Sequence, residues 1–125
     1  MTITAMSVTP AGATDFPELP PKREDYLKAL SVLIGCSTVD GVPRSYPRDS
    51  LMMWFDPAGP GALPLNPVAT SIAANGRPIH GTVVFTGPCT AGELDITPLS
   101  PRCVAEILGP AGGMNPSDAP VGDTP

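Results

Sequence analysis

Four side chains able to hold a metal or to react are spread through the chain: Cys36, His80, Cys89 and Cys103. Three thiolates and one imidazole are a proper tetrahedral zinc set. Their spacing argues against such a site, because no Cys-x-x-Cys pair anchors the ion, and isolated cysteines are usually small buried apolar groups. Cys103 stands in the first turn of an expected helix, a place for a reactive thiol, but no base neighbours it in sequence. His80 is the sole histidine. No nucleophile elbow, phosphate-cradling glycine loop or HExxH helix accompanies it. No catalytic set, metal site or cofactor is therefore expected.

Binding chemistry has more to stand on. Asn66 precedes Pro67 and can cap a helix there, since proline at the first position loses no hydrogen bond. That helix opens after the turn Gly59 to Leu63, and a helix amino terminus is a natural anion site. Arg77 could reach the same region, so Asn66, Arg77 and His80 form a candidate small-ligand site. Arg44 and Arg48 flank Tyr46, an arrangement that can grip a phosphate or a single strand, or simply be a solvated loop. Asp56, Glu93 and Asp95 lack a basic or metal partner in sequence, which leaves them weak ground for acid–base chemistry.

Composition narrows the partners. The 125 residues carry a net charge of −5, with 7 Lys and Arg against 12 Asp and Glu. No basic run exceeds Lys22-Arg23, so the electrostatic footprint of a duplex nucleic-acid binder is missing. The acids are also too sparse for strong nucleic-acid mimicry. The amino terminus, MTITAMSVTPAG, has neither a basic start nor an apolar run, and the odd number of widely spaced cysteines suits reduced thiols. A cytoplasmic protein with no membrane segment is expected. The 18 prolines and 13 glycines mark boundaries: a single domain over 1–109, a Pro-rich linker at 11–21, and a disordered acidic tail over 110–125 that lacks the apolar side chains to order itself.

Within the domain, Thr2 to Thr9 reads as a strand and Lys22 to Ile34 as a helix stopped by Gly35. Strands follow at Cys36 to Val42 and Leu51 to Phe55. A helix from Pro67 is stopped at Asn75-Gly76, a strand runs from Pro78 to Thr86, and an irregular strand is expected at Glu93 to Leu99. A final helix runs from Pro101 to Gly109. The fold class is α+β: a small antiparallel sheet with helices on one face, in the ferredoxin-like split βαβ order, plus a carboxy-terminal helix. In that arrangement Leu51, Met53 and Phe55 point to the helices. Met52, Trp54 and Val84, together with Met6 and Val8, then form an apolar patch on the open face. A protein partner or a second copy is expected to cover it, or else the linker or carboxy-terminal segment folds over it.

The segments LKALSVLIGC, LMMWFDPAG, LPLNPVAT and GRPIHGTVVFTG, in that order and spacing, resemble the landmarks of the family catalogued as domain of unknown function 3846, over roughly residues 1 to 109. Gly76, Gly81 and Gly87 occupy the glycine places of the last motif, and Asn66 is the counterpart of the motif asparagine. Cys36 stands where a second glycine usually follows Gly35. The resemblance implies cargo of phages, plasmids and conjugative elements in Gram-positive and actinobacterial hosts, and it implies no known reaction, cofactor or ligand. The expected function is a non-enzymatic accessory protein that binds a host or phage protein through the open sheet face. Alternatives are a small-ligand or anion-binding domain, or a modest enzyme, at the helix amino terminus near Asn66, and a minor virion component.

Overall fold

Residues Ile3 to Leu19 form one long hairpin, and its interruption has a simple cause. The first arm consists of β1 (Ile3–Thr4) and β2 (Met6–Val8), the returning arm of β3 (Thr14–Asp15) and β4 (Glu18–Leu19). Ile3 pairs with Leu19 and Val8 with Thr14 in a single unbroken register. The ladder lapses in the middle because Pro17 has no N–H to give; its carbonyl still accepts from Ala5 N at 2.9 Å. Gly12, at φ 89°, makes the turn. The segment expected as a linker is thus a sheet element, and Leu19 within it is 1% exposed.

This computed structural model describes residues 2–45, 49–59, 61–73, 78–90 and 95–112. Its remaining elements are α1 (Arg23–Ile34), β5 (Asp40–Ser45), β6 (Ser50–Phe55), α2 (Pro67–Ile72), β7 (Val83–Thr86) and α3 (Pro101–Gly112). The main sheet is antiparallel in the order β3-β2-β7-β6-β5. Edge strand β5 carries Pro43, at the kind of position where a ladder tolerates proline. Helix α1 carries Glu24 and Asp25 at its positive end and stops at Gly35, whose φ of 82° is the left-handed cap. Helix α3 is capped by Ser100, whose Oγ accepts from Cys103 N at 3.1 Å. It passes Gly109, the expected stop, and continues to Gly112. Residues 95–100 are not strand. The Asn75-Gly76 stop, Glu93, and the tail from residue 113 lie outside the described residues.

The α+β class, the antiparallel sheet, the element order and the carboxy-terminal helix are as expected. Pairing and layering differ in detail from a ferredoxin-like sheet. There the first strand would lie inside the sheet, whereas β2 lies outside β7. Helices α2 and α3 share one face, where Ala69, Ile72, Cys103 and Ile107 pack on Met6, Val8, Leu51, Met53, Phe55, Val83 and Phe85. Helix α1 takes the other face, packing Tyr26, Leu30 and Ile34 on Trp54 and Val84, with Ile3, Ala5, Leu19 and Ile96 around them. The open face expected from one-sided packing is therefore covered. The cause lies in the strands: LMMWF and VVFT are apolar on both sides, and a strand of that kind stabilises the fold only when both faces are dry.

The hairpin base carries a pH-dependent contact. Glu18 accepts from Thr2 Oγ1 at 2.5 Å and Thr4 Oγ1 at 2.6 Å. These hydroxyls, Thr2 first, hold its carboxyl below the ordinary value. The contribution is present above the unfolded carboxyl's pKa and is lost as pH falls through the depressed folded value. NMR is expected to show the Thr2 and Thr4 resonances titrating below the ordinary carboxylate range. Glu18→Gln is expected to abolish that titration.

Candidate functional site

The place where α1 leaves the sheet is fixed by a residue with no side chain. Gly41 of β5 lies directly opposite Trp54 of β6. A Cβ at Gly41 would stand 2.6 Å from both Cε3 and Cζ3 of the indole, which therefore lies against bare backbone. The indole is fixed on its other sides. Its Nε1 donates to Thr86 Oγ1 at 3.0 Å, and Thr86 Oγ1 donates to Gly87 O at 2.9 Å. The Tyr26 ring meets it edge to face, with centroids 5.4 Å apart and planes at 61°, a geometry worth about 1 kcal/mol beyond area burial.

Above this pair opens a cleft of about 290 Å³, lined by Arg23, Tyr26 and Leu27 of α1, Val39, Asp40 and Gly41, Met52 and Trp54 of β6, and Cys89. Arg23 and Asp40 are exposed, while Leu27, Val39, Met52 and Cys89 are half-buried. The cleft thus has an apolar floor with a cation and an anion among its exposed lining residues. Tyr26 Oη lies 3.9 Å from Cys89 Sγ. Burial, then Cys89, pushes the phenol up to about 12. At neutral pH it is an uncharged hydroxyl and not a base. Lys22 Nζ pairs with Asp95 at 3.2 Å, but its side chain is 60% exposed, so the pair contributes little to stability.

The residues singled out in the sequence separate into three groups. Trp54 and Val84 are 6% and 0% exposed. They and half-buried Met52 belong to the packing under α1, and Met52 and the indole also line the cleft. Met6 and Val8 face the opposite side, with α2 and α3. Asn66 is 0% exposed. Its Oδ1 accepts from Ala69 N at 3.1 Å, capping α2, and its Nδ2 donates to Val8 O at 3.0 Å and Gly81 O at 2.9 Å. The amide is spent on backbone and offers nothing to a ligand. His80 is half-buried, and its Nδ1 lies 2.9 Å from Leu63 O. A carbonyl only accepts, so Nδ1 carries the proton. Arg77, Tyr46 and Arg48 lie outside the described residues. Cys103 is buried beside α2, across the sheet from Cys36 and Cys89, so a Cys3His set does not converge. Among the described residues no His, Cys, Asp or Glu group could hold a metal ion, and no helix is long and apolar enough to cross a membrane.

Sequence reasoning missed Arg23, Asp40 and Gly41 as site residues. The available signal was Asp40-Gly41, a turn-like pair that instead opens β5 and gives no sign of which aromatic it will face.

Fold and site together define an α+β domain with helices on both faces of an antiparallel sheet and a side cleft floored by its one tryptophan. The chain matches the family model described as Domain of unknown function (DUF3846) over residues 3–110, and it belongs to that family. No curated protein and no solved structure matches it.

Proposed function

We propose that this is a non-enzymatic binding domain that takes a small organic molecule into the cleft between α1 and the β5–β6 hairpin. The molecule has an apolar body with charged or polar ends. One observation carries the reading: an apolar floor of Met52, Leu27 and the Trp54 indole is combined with Arg23 and Asp40, in a cavity near the lower size limit of small-molecule sites. An anionic end would meet the Arg23 guanidinium and a cationic or hydroxyl end the Asp40 carboxylate. The neutral Tyr26 hydroxyl supports binding over proton transfer.

Trp54 is the chain's single tryptophan, so its emission reports the cleft alone. A fragment library that includes zwitterionic aromatic compounds would be screened by ligand-observed NMR, with that emission as the site readout. Hits are expected to shift the emission, to weaken in Arg23→Glu and to be lost in Gly41→Ala. The glycine variant reorients the indole at a cost of about 1–3 kcal/mol of stability. An emission unchanged by every fragment, or hits that bind both variants as well as the wild type, would overturn the reading.

A second reading is a protein of a phage or its host as the partner. It is favoured by Val32 and Leu33, exposed at 83% and 39% on the same helix that walls the cleft. Affinity capture from infected cells with wild type and Val32→Asp would separate it from the first, because the small-molecule site does not include Val32.

A further inference from the structure

The hydrogen-bond alternation of the sheet decides which amides face out at its two edges. Ala5 N donates to Pro17 O and Thr9 N to Ala13 O, both at 2.9 Å. Odd-numbered residues of the first arm therefore bond across the hairpin, and Met6 and Val8 bond to β7. Carried through the registers of β7, β6 and β5, the same alternation turns Thr14, Phe16 and Glu18 outward at one edge and Gly41, Pro43 and Ser45 outward at the other. All of these but Gly41 are exposed. Outward amides of this kind are a template for another strand, and at the first edge Phe16, 44% exposed, adds an apolar side chain.

The same local device meets this at both edges. The residue before an outward amide is an aspartate whose Oδ1 accepts from it: Asp15 from Phe16 N at 2.9 Å, and Asp40 from Gly41 N at 3.0 Å. Along β5 the next outward position is Pro43, which has no N–H, and its carbonyl accepts from Arg44 Nη1 at 2.8 Å. Two copies meeting antiparallel about a two-fold axis at Phe16 would set Phe16 against its counterpart and Thr14 against Glu18, with the two phenyl rings side by side. The amide at the centre of that pairing is the one Asp15 holds. We propose that Asp15 and Asp40 are guards that keep this chain from pairing edge to edge with a second copy. An incoming carbonyl must displace a carboxylate, and a hydrogen bond to a charged acceptor is roughly twice as strong as a neutral one. β3 and β5 stand at opposite ends of the sheet, so the Asp15 guard is tested independently of the Trp54 cleft.

The test is sedimentation velocity of the full chain at rising concentration, with amide hydrogen exchange to map the contact. The wild type is expected to stay monomeric over the range in which Asp15→Ala dimerises, its self-association strengthened at least about tenfold by the loss of one charge-assisted hydrogen bond. Exchange in that variant should slow with concentration at Thr14, Phe16 and Glu18, and not at Ser7 and Thr9, whose amides bond within the hairpin. Asp15→Asn keeps an acceptor oxygen and should associate less than Asp15→Ala. At the other edge, Asp40→Ala should strengthen association in a Pro43→Val background, with slowing at Gly41 and Ser45. A wild type that already dimerises through these amides would overturn the proposal, as would Asp15→Ala and the β5 variants remaining monomeric, or Asp15→Asn associating as tightly as Asp15→Ala. Association accompanied by faster exchange throughout the sheet marks unfolding and would overturn it too.

Discussion

Asn66→Ala is expected to cost about 3–5 kcal/mol, because it removes an N-cap worth about 1 kcal/mol and strands two buried carbonyls at roughly 1 kcal/mol or more each. Urea denaturation would measure it. The loss approaches the total stability of many domains this small, so the variant should be partly unfolded at ambient temperature. The effect is large because one amide ties three separate segments: the start of α2, the end of β2 at Val8, and Gly81 ahead of β7. Asn66→Asp keeps the cap acceptor but points carboxylate oxygen at two carbonyls. Burial and those carbonyls raise the pKa of the introduced carboxyl in the folded state. Its folded form is therefore favoured below the unfolded carboxyl's pKa, and stability is lost as pH rises above it. The aspartate variant should gain stability relative to wild type on acidification, whereas the alanine variant should follow the wild-type pH profile.

Gly87→Ala is expected to cost about 3 kcal/mol, at the upper end of the overpacking range. A Cβ there would collide with the Pro98 carbonyl oxygen and with Thr97 Oγ1. Backbone cannot step aside cheaply at this point, because Gly87 N donates to Thr97 O at 2.8 Å and Thr97 Oγ1 donates to Pro88 O at 2.7 Å. Gly35→Ala is the contrasting case. Nothing lies within 4 Å of its Cβ, so only the left-handed φ is strained, for about 1 kcal/mol. Thermal melts of the two variants should rank them in that order.

How much of this was legible in the chain depends on the kind of signal. Local chemistry was readable: Gly35 as the end of α1, Asn66-Pro67 as the start of α2 and Ser100-Pro101 as the start of α3 are each fixed by backbone groups within a few residues. The alternation in β7 was also readable, with Val83 and Phe85 on one side and Val84 and Thr86 on the other. The second covered face was announced by the unbroken apolar runs LMMWF and VVFT, which one wet side would have made alternate. The expected one-sided layering passed over that signal. The register of the first hairpin was hidden by Pro17, whose gap makes two arms look like a strand and a linker. Hidden most deeply was the cleft. It depends on Gly41 falling opposite Trp54, a cross-strand coincidence that neither local segment encodes.

The order of the sheet also sets an order in time. Strand β2 meets the sheet only through β7, yet some seventy-five residues separate them in the chain, a loop whose closure carries an entropic cost. During synthesis the first hairpin emerges with only α1 to pack against, and the pairing edge of β2 stays open until Val83–Thr86 has followed. β5 and β6, joined by a short connection, can pair well before that. The amino-terminal arm is thus made well before the strand it pairs with and is among the last segments that can be placed. Truncations that stop short of β7 would leave Met6 and Val8 bare to the solvent, a state for a chaperone and not for a folded intermediate.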